Sequence, residues 1–141
     1  ITVAGQIGAA IQLNGVSVSN ALNLNTTATN VSRGGINFGG QLQAIAGTNT
    51  TTGVVRMDAD SAIGADAGAT LNINGTINNT TTTGRALVFN AAGTINLNSN
   101  ATAATATVNQ YFSLEKWGTG TLNITTANTM NTNKPQFTKG M

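Results

Sequence analysis

The amino-acid sequence predicts an all-β fold wound as a β-solenoid. Three observations lead there. Short runs alternate apolar and polar residues, the pattern of strands with one buried face. Several of these runs are near copies of one another. The 141 residues include one proline and only 7% charged residues, against roughly 25% charge and about 5% Pro in ordinary proteins. Proline would remove a ladder donor from a central strand, so its scarcity suits a chain made of stacked backbone.

The runs are Ile11-Gln12-Leu13, Val16-Ser17-Val18, Leu22-Asn23-Leu24 and Ile36-Asn37-Phe38, then Leu71-Asn72-Ile73, Leu87-Val88-Phe89, Ile95-Asn96-Leu97 and Leu122-Asn123-Ile124. Gly, Asn and Thr clusters separate them and supply the turn chemistry. No segment carries a 3.6-residue period. Ala101 to Ala106 is rich in alanine, but its interleaved threonines favour extended chain or loop.

The copies are Ala21-Leu22-Asn23-Leu24-Asn25, Thr70-Leu71-Asn72-Ile73-Asn74, Thr94-Ile95-Asn96-Leu97-Asn98 and Thr121-Leu122-Asn123-Ile124-Thr125. Their offsets are 49, 24 and 27 residues, as if one copy between the first two had drifted beyond recognition. Gly75-Thr76-Ile77-Asn78 echoes Gly93-Thr94-Ile95-Asn96. Irregular repeats built of strands and turns point to a solenoid. A parallel β-helix fits: coils stack about 4.8 Å apart, with Ile, Leu, Val and Phe inward and Thr, Asn and Ser outward. Asparagines in such a stack line up in ladders on their copies above and below. The length suits about six coils and a rod of some 25 to 30 Å. An antiparallel sandwich predicts the same alternation but not the copies. The expected organisation is a single β-solenoid segment over 1–141. Because the chain begins at Ile1 without an initiator Met, it reads as part of a longer chain or a stackable subunit.

Composition removes several function classes. Without His or Cys there is no ordinary zinc, haem or iron–sulfur site, no disulfide and no Ser-His-Asp triad. Arg33, Arg56, Arg85, Lys116, Lys134 and Lys139 are scattered, so the basic stripe of a nucleic-acid binder is not expected. No apolar run approaches the roughly 20 residues of a membrane span, and no signal peptide is recognisable. No phosphate loop or dinucleotide fingerprint occurs, and no cofactor is expected.

Two stretches carry a family resemblance. Lys116-Trp117-Gly118-Thr119-Gly120-Thr121-Leu122-Asn123-Ile124-Thr125-Thr126-Ala127-Asn128-Thr129 resembles the passenger-associated repeat of bacterial autotransporter passenger domains, with Met130 where tyrosine is usual and Thr132 where glycine is usual. Gly53-Val54-Val55-Arg56-Met57-Asp58-Ala59-Asp60-Ser61-Ala62-Ile63-Gly64 is similar to a second segment of the same domains. The resemblance implies a right-handed parallel β-helix outside a bacterial cell or on its surface, with the translocator elsewhere. Such domains serve most often as adhesins, stalks or spacers.

Chemistry-bearing residues are few. Asp58, Asp60 and Asp66 put three carboxylates within nine residues. With Arg56 they are weak candidates for a polysaccharide-cleaving site or a calcium site. The competing reading makes Asp60 a turn cap and Asp58 a solvated partner of Arg56, and is preferred. Glu115, Lys116 and Trp117 form the candidate interaction site, a small carbohydrate platform, against simple packing of Trp117 with Tyr111 and Phe112 over a coil. Sequons at Asn25, Asn30, Asn49, Asn74 and Asn123 arise readily in so Asn- and Thr-rich a chain.

The expected function is therefore not enzymatic. It is a structural or interaction module of an extracellular or cell-surface β-helical protein: adhesin, stalk or fibre subunit. The expected partners are adjacent coils or further copies stacked end to end, with a host surface or polysaccharide as a further one, but neither nucleic acid nor the membrane interior. The alternative is a polysaccharide-active β-helix enzyme.

Overall fold

A computed structural model describes residues 1–4, 9–25, 39–79, 85–99, 101–103, 112–125 and 137–139. Every regular element among them is a strand, and no helix occurs there. In chain order they are β1 (Thr2–Ala4), β2 (Ile11–Asn14), β3 (Ser17–Val18), β4 (Leu22–Asn25), β5 (Leu42–Ala46), β6 (Thr48–Thr51), β7 (Val55–Met57) and β8 (Ser61–Ala65). Then follow β9 (Thr70–Ile73), β10 (Ile77–Asn79), β11 (Arg85–Ala91), β12 (Thr94–Leu97), β13 (Ala101–Ala103), β14 (Phe112–Trp117), β15 (Thr121–Ile124) and β16 (Phe137–Lys139).

These strands form three parallel sheets. The first runs β1-β4-β7-β10-β13, the second β16-β14-β11-β8-β5-β2 and the third β15-β12-β9-β6-β3. From β1 to β15 the chain thus visits first, second and third sheet in the same order, laying each new strand beside its predecessor in that sheet. Parallel neighbours in register, reached only after a full circuit, fit a β-solenoid.

The alternation explains the interior. In the third sheet Leu71 pairs with Ile95 and Leu122, and Ile73 with Leu97 and Ile124. In the first, Leu22, Val55 and Ile77 share one column. In the second, Leu42, Ile63 and Phe89 do, beside Ala44, Ala65 and Ala91. These side chains join one hydrophobic core. Burying each Leu, Ile or Phe contributes about 1.5–3 kcal/mol.

Seven of the eight alternating runs fall on strands; Ile36-Asn37-Phe38 lies outside the described residues. Ala101–Ala103 is extended, as β13. The repeat assignment needs correction. The copies beginning at Thr70, Thr94 and Thr121 stack directly as β9, β12 and β15. The earlier copy, Leu22–Asn25, belongs to the first sheet and pairs with β1 and β7. The strand stacked below β9 is β6, Thr48–Thr51, which carries Asn49 and Thr51 at the register positions of Leu71 and Ile73, so it is the copy that drifted beyond recognition. The echo at Gly75 likewise joins different sheets, β10 in the first and β12 in the third.

Corners are set by glycine where backbones touch. A Cβ on Gly120 would lie 2.1 Å from the Gly93 carbonyl oxygen, and Gly118 has φ +76°. Both belong to the Lys-Trp-Gly-Thr-Gly segment, which turns the chain from β14 into β15. A side chain is excluded at the first position and strained at the second.

Candidate functional site

The carboxylates are engaged separately. Asp58 and Asp60 lie between β7 and β8, outside the strands. The Asp60 carboxylate accepts the Ala86 backbone N–H at 2.9 Å, so it ties its turn to the next circuit. Its own turn is held instead by Ser61, whose hydroxyl donates to the Ala59 carbonyl at 3.0 Å. Asp66 follows the far end of β8 and accepts from Gln43 Nε2 at 2.8 Å; Gln43 in turn accepts from Gln12 Nε2 at 3.1 Å. The five residues of β8 separate Asp60 from Asp66, on the order of 20 Å. Among the described residues no group of three or more acidic, His or Cys side chains is placed to hold a metal ion. Arg56 is exposed in the first sheet, between Asn23 and Asn78.

Glu115, Lys116 and Trp117 do come together, at the end of β14. Trp117 Nε1 donates to Glu115 Oε2 at 3.2 Å, and the ring packs on Ala62 and Val88. Lys116 takes the register position of Phe89. Its ammonium donates to the carbonyls of Trp117 at 2.6 Å and Gly118 at 2.8 Å, and partial burial lowers its pKa. The cluster thus fastens the β14–β15 corner and leaves the Trp117 ring half-buried. Tyr111 lies outside the described residues. Burial here exceeds what alternation implies: Gln41, Ala62, Val88 and Glu115 share one register column on the outward phase of the second sheet, and all are buried.

The third sheet shows the most regular polar surface. One outward rank is Thr48, Thr70, Thr94 and Thr121. The next is Ser17, Thr50, Asn72, Asn96 and Asn123. The amides form the ladder expected of stacked asparagines. Asn123 Nδ2 donates to Asn96 Oδ1 at 2.8 Å, and Asn96 Nδ2 to Asn72 Oδ1 at 2.7 Å. A parallel rung links Asn98 to Asn74 at 2.9 Å, capped by the Thr125 hydroxyl at 2.8 Å. These contacts pin every amide plane, which a free surface asparagine does not achieve.

One sequon is closed by the fold. Asn49 is fully buried in the column of Leu71 and Ile95. Its Nδ2 donates to the Ala46 carbonyl at 2.9 Å, and its Oδ1 accepts the Val16 N–H at 3.1 Å. Asn74 and Asn123 are exposed; the Asn25 side chain and Asn30 lie outside the described part.

Comparison of the chain with family models, with curated proteins and with solved structures finds no match. Among the described residues, no helix is long and apolar enough to cross a membrane.

Proposed function

We propose that the chain is a structural and interaction module of an extracellular or cell-surface β-helical protein, an adhesin, stalk or fibre segment. In this reading it is a right-handed parallel β-helix of about six coils. Five passes through the three sheets, with β16 beginning another, support that number. The autotransporter-like segments support the hand and the location.

The observation that carries the proposal is the unbroken stacking of parallel strands around a single aliphatic core. Each circuit adds backbone bonds and buried side chains, which makes a stiff, protease-resistant rod. The separately engaged carboxylates favour this scaffold over a polysaccharide-cleaving groove, where acids and bases converge. Exposed apolar residues belong to the outermost strands or lie beside them: Ile1 and Val16 at one end of the stack, Ile124 at the other. Contact with further coils or with other copies would cover them.

Limited proteolysis with electron microscopy of the purified chain tests this. Resistant rods or end-to-end filaments are expected. A protease-labile globule overturns the proposal. So does degradation of a uronic-acid polymer that is lost in Asp60→Ala.

A further inference from the structure

We propose that the outward face of the third sheet binds the surface of ice. Ice binding by this face requires neither surface display nor a role as a stalk.

The face is a two-dimensional lattice. In-register pairing aligns the threonine rank of Thr48 through Thr121 beside the Thr/Asn rank of Thr50 through Asn123. Steps along the stack are about 4.8 Å, and two residues along a strand separate the ranks by roughly 6–7 Å. Those periods are on the scale of the oxygen repeats in ice. Both ranks lie on one run of parallel strands paired in register, so the spacing persists over several circuits.

The chemistry narrows the occupant. Neither rank contains a charged or aromatic residue. An anionic polymer would require cations on the face. A sugar or a protein partner would call for aromatic anchors. What remains is a neutral, repeating solid. Threonine offers a methyl group and a hydroxyl at each point of the first rank, and amides occupy most of the second. The hydroxyls of Thr48, Thr70, Thr94 and Thr121 make no hydrogen bond among the described residues. The neighbouring amides are already fixed by their ladder, yet each interior Asn keeps one N–H and one lone pair for water. Ordering the first water layer on such a rigid template costs little conformational entropy, because the side chains are already ordered.

The test is ice-affinity partition of the full chain, together with the shape of single ice crystals grown in its presence. The wild type is expected to enter the ice and facet the crystals. Thr94→Lys, which plants a charged chain in the middle of the lattice, is expected to lose both effects. Thr121→Lys at the exposed end of the rank serves if Thr94→Lys fails to fold by circular dichroism. Arg56→Ala on the first sheet is expected to behave as wild type. Exclusion of the wild type from ice overturns the proposal. So does undiminished activity in a folded rank variant, an equal loss in Arg56→Ala, or retention on insoluble cellulose or chitin without any effect on ice.

Discussion

Thr51 and Gly64 show how strictly this stack constrains single residues. Thr51 is fully buried, pairs with Val18 and Ile73, and its hydroxyl has no hydrogen-bond partner. A buried hydroxyl without a partner loses its hydration for nothing in return. Thr51→Val keeps the shape and the β-branch, so we expect it to stabilise the chain by about 1 kcal/mol, read from the denaturation midpoint. Gly64 is the opposite case. A Cβ there would lie 1.7 Å from the Gly39 carbonyl oxygen, a backbone atom that cannot step aside. Gly64→Ala should cost roughly 3 kcal/mol or prevent folding. Gly15, with φ +63° and open space around it, should lose only ~1 kcal/mol on the same change. Similar losses at the two glycines would show that the Gly39 segment does not press on β8.

At the scale of the strand, the amide ladder has a direction. Each Asn donates toward the preceding circuit and accepts from the next. Asn96 therefore holds two rungs and Asn123 one. Asn96→Ala should cost about 1–2 kcal/mol and Asn123→Ala about half as much, in thermal unfolding of the two variants. Equal costs would mean that the ladder contributes no more than its individual amides do to water. This ladder was legible in the sequence, because the copies from Thr70, Thr94 and Thr121 share one sheet. The copy at Leu22–Asn25 misled, since the same alternation serves every sheet and nothing local marks which one a strand joins. Strand β6 was hidden for a related reason. Its inward positions hold Asn49 and Thr51 in place of aliphatics, and only hydrogen bonds to neighbouring circuits make an inward Asn acceptable. The candidate site divided likewise. Glu115, Lys116 and Trp117 are neighbours in sequence and remain so in space. The aspartates are neighbours in sequence but are held at opposite ends of β8. The buried outward column of the second sheet follows from packing across circuits, which strand alternation does not encode.

Over the whole molecule, stability should be graded along the stack. Contacts in a solenoid join neighbouring circuits, so protection depends on how many neighbours a strand has. Strands β8, β9, β11 and β12 pair on both sides, and their inward side chains are buried. Among the described strands β3 ends the third sheet on one side and β15 on the other, where Ile124 is exposed and Leu122 only half-buried. Opening an end strand breaks one set of ladder bonds, whereas opening a central strand breaks two and uncovers the core. Native-state hydrogen exchange should therefore rank amides of Ile63, Leu71, Phe89 and Ile95 slowest, and those of Val18, Leu122 and Ile124 faster. One contact is expected to sharpen the gradient locally. The Asp60 carboxylate on the Ala86 N–H should slow that amide, and Asp60→Ala should release it without disturbing Ile95 in the third sheet. If a second copy or further coils cover the exposed end residues, protection at Leu122 and Ile124 should rise with protein concentration or with a longer chain. Uniform protection in dilute solution, independent of both, would mean that the stack opens as one unit and that its ends are already closed.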